Sequence, residues 1–119
     1  MDWKMFLDDE RYPADNSWVI ARNYHDAVWY VTNYGLPKFI SFDHDLAYEH
    51  YMTAIVGRPH EFTGYDFAKW FANYVTDNDL TLPDNFDYYV HSMNPVGAEN
   101  IRRYMMHWLH NREIGEDVL

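Results

Sequence analysis

The chain has 119 residues, enough for one domain with a real core and too few for two ordinary ones, so a single domain over residues 1–119 is expected. Its 48% apolar content, with 11 Tyr, 7 Phe and 5 Trp, excludes a disordered chain and predicts a large aromatic core. A formal net charge of −10 opposes contact with long nucleic acids and anionic membranes, and the lack of cysteine excludes disulfides, thiolate zinc sites and a cysteine nucleophile.

The N-terminus, MDWKMFLDDE, has no long apolar run, and nowhere does the chain show the ~20 apolar residues of a membrane span, so a cytoplasmic protein is expected. The first short apolar run is KMFL, residues 4–7, and it ends in DDER. The second, WVIA at 18–21, ends in Arg22-Asn23. Helical spacing over 24–34 sets Ala27, Val28 and Val31 on one face, with Asn23 as cap and Gly35-Leu36-Pro37 as stop.

KFISF, residues 38–42, is the third run and passes without glycine or proline into DHDL. Residues 47–63 have no period and contain Gly57 and Pro59, which predicts a long loop or short helix serving as a lid near the site. A second helix over 65–76 carries Phe67, Ala68, Phe71 and Val75 on one face, and Thr63 to Asp66 fits a capping box. FDYYV, residues 86–90, is the fourth run and ends in HSMN. The last helix opens with Asn94 as cap and Pro95 in first position, and buries Ile101, Tyr104, Met105, Trp108 and Leu109.

Strands that alternate with helices predict parallel pairing through right-handed crossovers. The expected fold is therefore α/β, a shortened flavodoxin-like open parallel sheet with helices on both faces; with the second strand outside the first and the third on its other side, the order is 2-1-3-4. In such sheets the ligand crevice lies beyond the carboxyl ends of the strands where their order switches, here between the first and third. DDER, DHDL and HSMN then line one site.

Asp8, Asp9 and Asp43 would repel one another in that crevice unless a cation sat among them, and all-oxygen ligation suits Mg²⁺ or Mn²⁺. Helix capping or solvation is the plainer role for such acids. His44 beside Asp45 suits general acid–base work or metal ligation, or a hydrogen bond to backbone with Asp45 as a cap. His91, Ser92 and Asn94 precede a helix whose N–H groups can hold an anion, although Ser before a helix is commonly a cap. Arg11 after the first acidic pair and Arg22 at the end of the second run can each grip a phosphate bidentately or form a surface salt bridge, the latter being the preferred reading for Arg22. Asn100 and Arg103 read as a solvated face, His107 and His110 as residues suited to a helix C-terminus, and His60 belongs to the lid. Tyr48, Tyr51, Phe62 and Tyr65 lie near the expected mouth, where they would stack on a base or join the core.

Together LDDERYP, ISFDHDL and VHSMNPVGAENIRRYM resemble the cyclic-phosphate-processing receiver-like domain family, a divergent branch of the response-regulator receiver fold found in bacteria and their phages. The resemblance runs from about Asp8 to Leu109. It implies a receiver-like sheet with Mg²⁺ held by Asp8, Asp9 and Asp43, with Asp43 at the phosphoacceptor position and Ser92 at the Ser or Thr position. A receiver also has a fifth strand ending in Lys, which Lys4, Lys38 and Lys69 do not supply, so ordinary phosphorelay signalling is disfavoured.

With the substrate class that the resemblance implies, the expected function is a metal-dependent phosphoesterase that opens a small cyclic phosphate linked to a nucleotide or to ADP-ribose. Asp43, His44, Asp45, His91 and Ser92 are the catalytic candidates, with Arg11, Ser92 and Asn94 binding substrate. Either His44 or His91 would transfer protons, and Asp43 would act as a ligand or attack phosphorus directly. The alternatives are a phosphoacceptor signalling module, or a non-catalytic binder that sequesters a nucleotide signal, for a phage against host defence.

Overall fold

The structure is a computed structural model and describes residues 2–46 and 62–114. The expected lid, with Tyr48, Tyr51 and His60, lies outside the described residues except for Phe62 and Thr63. Four short strands form β1 (Lys4–Leu7), β2 (Val19–Ala21), β3 (Phe39–Phe42) and β4 (Asp87–Val90). They pair in parallel in the order β2-β1-β3-β4, as expected, with Met5 opposite Val19 and Ile40, and Ile40 opposite Tyr88. Among the described residues three helices follow β2, β3 and β4: α1 (Tyr24–Tyr34), α2 (Gly64–Asp77) and α3 (Pro95–Ile114).

The helix boundaries have local causes. Asn23 caps α1 by accepting from the Asp26 N–H at 2.8 Å. Gly35 ends that helix with φ +89°, where its N–H reaches the Val31 carbonyl at 3.0 Å. Thr63 and Asp66 close the expected capping box on α2. Asn94 caps α3 through the Gly97 N–H at 2.9 Å, with Pro95 in the first helical position where no N–H is needed.

Strand alternation sends Met5, Leu7, Ile40, Phe42 and Val90 to one face, where they are buried with Ala27 and Val31 of α1, Phe67, Phe71 and Val75 of α2, and Ile101 and Met105 of α3. All three helices thus contribute to one cluster. The steps from β2 to β3 and from β3 to β4 run in the same direction across the sheet, so right-handed crossovers return α1 and α2 to the same face. The second face, also expected to carry helix, is covered within the described residues by Trp18, which packs edge-on against Phe6 and Phe39 with Lys4 over its ring. No helix among the described residues is long and apolar enough to cross a membrane.

Candidate active site

The sheet ladder runs one residue past three strands. Asp8 donates its N–H to Ala21 O at 3.0 Å, Asp43 to Leu7 O at 2.9 Å and His91 to Phe42 O at 2.9 Å. These residues are therefore held by the register of the sheet at the carboxyl edge. Asp8 is fully buried and Asp43 is 5% exposed. Buried carboxylates need compensating donors or a cation.

Asp8 has donors. Its Oδ1 accepts from the Glu10 and Arg11 N–H groups at 2.9 and 2.8 Å, while Oδ2 lies 2.9 Å from His91 Nε2 and 3.4 Å from Arg11 Nε. Burial pushes its carboxyl up, but the two backbone donors and His91 outweigh that and hold it below the ordinary value of 3.8. An ionised carboxylate only accepts, so His91 Nε2 carries a proton in this arrangement. The other ring nitrogen, Nδ1, lies 2.7 Å from Ser41 Oγ, and Phe6 stacks on the imidazole at 4.6 Å.

Asp8, Asp43 and His91 each offer a ligand atom, and these atoms lie within 4.8 Å of one another. Two carboxylates and an imidazole can hold a divalent cation: the carboxylates suit Mg²⁺ or Mn²⁺, while the imidazole favours a softer ion than the all-oxygen set of Asp8, Asp9 and Asp43 expected from the sequence. Ligation through His91 Nε2 requires the ring proton to sit on Nδ1, and the Ser41 hydroxyl can accept it there as readily as it donates to the other tautomer. Asp9 sits beside this group. Burial raises its pKa above the ordinary 3.8, a bond from its own N–H opposes this, and repulsion by Asp8, Glu10 and Asp43 raises it further. That crowding of negative charge is what a divalent cation would offset.

His44 belongs to a second set at the same edge. Its N–H donates to Asp43 Oδ1 at 2.8 Å, and its Nδ1 lies 2.8 Å from Asp45 Oδ1, which also accepts from Asn94 Nδ2 at 3.3 Å. The His44 bond lowers the Asp45 pKa; partial burial opposes this and the Asn94 bond adds to it. Asp45 thereby fixes the Nδ1–H tautomer and leaves Nε2 to exchange a proton. The His44 ring lies against Gly97, where a Cβ would overlap Cγ, Cδ2 and Nδ1. Gly64 donates its N–H to His44 O at 2.7 Å and lies so close to the Asp43 carbonyl that a Cβ would overlap the oxygen. Two glycines thus clamp the segment from Asp43 to Asp45 between the starts of α2 and α3.

Arg11 reaches across the site from the β1 end, donating through Nη1 to the His91 carbonyl at 3.3 Å while half-exposed. Ser92 Oγ accepts from the Asn94 N–H at 3.0 Å, so its hydroxyl shapes the turn into α3. The Asn94 side chain has both roles, capping α3 and holding Asp45. Arg22 departs from the surface salt bridge expected of it. Its Nη1 donates to the carbonyls of Asp8 and Arg11 at 3.1 and 2.7 Å, and its guanidinium covers the Tyr12 ring.

Lys4, Lys38 and Lys69 lie away from the acids: at the start of β1, just before β3, and paired with Asp66 on α2. Arg103 pairs with Glu99, and His107 and His110 are exposed on α3. The cleft between α2 and α3 is lined by Tyr65, Tyr104 and His107 among others, with no carboxylate among the described residues that line it.

Sequence reasoning missed Ser41, Phe6, Gly64 and Gly97. Ser41 carried a signal, since a hydroxyl inside the apolar run FISF calls for a buried partner. The glycines carried none, because their contacts come from chain segments distant in sequence.

An all-parallel sheet with a carboxylate cluster at its switch point defines a receiver-like domain. Residues 3–107 match the model of the cyclic-phosphate processing receiver domain family, and the chain belongs to that family. Neither the curated proteins nor the solved structures compared with it give a match.

Proposed function

We propose that this protein is a metal-dependent phosphoesterase that opens a small cyclic phosphate joined to a nucleotide or to ADP-ribose. The observation that carries the reading is the group of buried Asp8 and Asp43 with partly buried His91 at the strand ends, next to the half-exposed Arg11. Asp8, Asp43 and His91 would hold the metal, with Asp9 adding negative charge at its side. A bound Mg²⁺ or Mn²⁺ supplies Lewis-acid polarisation of the phosphoryl oxygens.

The remaining roles fall to side chains. Arg11 binds a phosphoryl oxygen with the guanidinium edge not used on Asp8 and His91. His44, oriented by Asp45 and Asn94, takes a proton from water at Nε2 as the water oxygen attacks phosphorus. One ring P–O bond breaks, and the departing sugar oxygen receives the proton, giving a phosphomonoester. Burial of the acids and the aromatic contact of Phe6 on His91 keep the cluster rigid for this chemistry.

Phosphorus NMR on 2′,3′-cyclic nucleotides, cyclic dinucleotides and ADP-ribose cyclic phosphate, with Mg²⁺ or Mn²⁺ and then with chelator, tests the reading. Ring opening is expected only with metal, and Asp43→Asn should lower it by about 10³-fold or more, comparable to loss of an essential catalytic group. Mn²⁺ binding followed by electron paramagnetic resonance should weaken in the same variant. Full activity in Asp43→Asn overturns the mechanism, and binding without conversion replaces the esterase by a sequestering protein.

A further inference from the structure

Tyr12 follows Arg11 in the loop after β1 and is 77% exposed. An exposed tyrosine in a loop is ordinarily free to rotate, but this one is held. The Arg22 guanidinium lies over its ring at 4.6 Å to the centroid. That guanidinium is itself fixed by the Asp8 carbonyl at 3.1 Å and the Arg11 carbonyl at 2.7 Å. A single guanidinium therefore joins the Tyr12 ring to the main chain of the buried acid Asp8. With Arg22 over one ring face and most of the residue open to solvent, the opposite face is available to a ligand.

Among the described residues, other aromatic side chains near the site are differently engaged. Phe62 stacks on Tyr24 at 4.5 Å and Tyr65 packs edge-on against Tyr104. Trp18 lies over Phe6 and Phe39. Tyr12, the residue next to Arg11, differs from these in being largely exposed and held through one ring face.

We infer that Tyr12, braced by Arg22, is a stacking platform for the nucleobase of a nucleoside cyclic phosphate. This rests on the cyclic-phosphate reading above and narrows its substrate class to base-bearing compounds. The cyclic phosphate sits at the acid cluster and Arg11, and the base attached to the same ribose lies on the exposed face of Tyr12. Stacking on a flat ring tolerates any base, so the platform selects for a base over none and discriminates weakly among bases.

The test compares 2′,3′-cyclic AMP with methyl riboside 2′,3′-cyclic phosphate, which carries the same ring phosphate and no base. The expected result is kcat/KM larger for the base-bearing compound by roughly 5- to 150-fold, the range of a single base–aromatic stack. Tyr12→Ala should collapse that ratio towards one, mainly through KM, and Tyr12→Trp should restore it. Tyrosine or tryptophan fluorescence should be quenched by 2′,3′-cyclic AMP in the wild type, and less so in Tyr12→Ala. Equal handling of both compounds by the wild type, or an unchanged ratio in Tyr12→Ala, overturns the platform while leaving the esterase intact. Failure of both compounds to bind or react overturns the cyclic-phosphate reading and the platform with it.

Discussion

Replacing Gly97 by alanine puts a methyl group where the His44 ring now lies. Gly97 is held in the first turn of α3, its N–H bonded to the Asn94 cap at 2.9 Å, so the ring is the element that must move. Moving it breaks the 2.8 Å bond from Nδ1 to Asp45, a carboxylate that is largely exposed. A hydrogen bond of that kind contributes about 0.5–1.5 kcal/mol. Alanine in place of glycine stabilises a helix by up to about 1 kcal/mol, so the two effects nearly offset. The expected change in stability is within about 1 kcal/mol of zero. Activity should nonetheless fall by about 10²- to 10⁴-fold, the range for losing a positioned general acid or base. Urea unfolding and cyclic-phosphate ring opening, measured on the same preparations, separate the two quantities. In a His44→Ala background Gly97→Ala should cost no further activity and should raise stability, since the ring it clashes with is gone. Wild-type rates in the single variant, or a loss of more than about 3 kcal/mol, would refute the claim that Gly97 acts by seating His44.

Gly64→Ala should behave oppositely, because its Cβ would overlap the Asp43 carbonyl oxygen and backbone cannot swing aside. A loss of about 1–3 kcal/mol or more is expected in urea, and an unshifted midpoint would contradict the contact. Ser41→Ala removes the Nδ1 partner of His91 in a buried setting and should cost about 1–3 kcal/mol. Nitrogen NMR of the His91 ring should report the change, and unaltered shifts would remove Ser41 from the site. The depressed pKa of Asp8 makes it a stabilising group at neutral pH, because the unfolded chain binds its proton more readily. That contribution is complete above about the ordinary value of 3.8 and is lost as pH falls through the lower folded value. Metal-free wild type should therefore lose stability on acidification below pH 4 more steeply than Asp8→Asn, and equal slopes would exclude Asp8 as the cause.

Much of the fold was legible because its signals are local. KMFL, WVIA, KFISF and FDYYV are short apolar runs closed by polar residues, each containing one of the four strands, and parallel pairing follows from their alternation with helices. Asn23, Thr63 with Asp66, and Asn94 before Pro95 fix helix starts through bonds spanning three residues. The positions of Asp8, Asp43 and His91 at one edge follow from the same pattern, since each is the first residue after its strand.

Other features needed the chain to be folded. No spacing in the sequence tells that Asp8 and His91, 83 residues apart, are hydrogen-bonded, or that Ser41 holds the far side of that ring. Arg22 looks like any surface cation until the β1 loop turns two carbonyls towards it and lays Tyr12 under its guanidinium. Gly64 and Gly97 look like ordinary helix-start residues until Asp43 and His44 press against them. The sequence by itself thus determined which residues end the strands, because hydrophobic periodicity and capping act over a few neighbours. The tertiary structure alone decided which donor faces which acceptor and which aromatic ring stays open, because those depend on the register and packing that bring remote segments within hydrogen-bond reach.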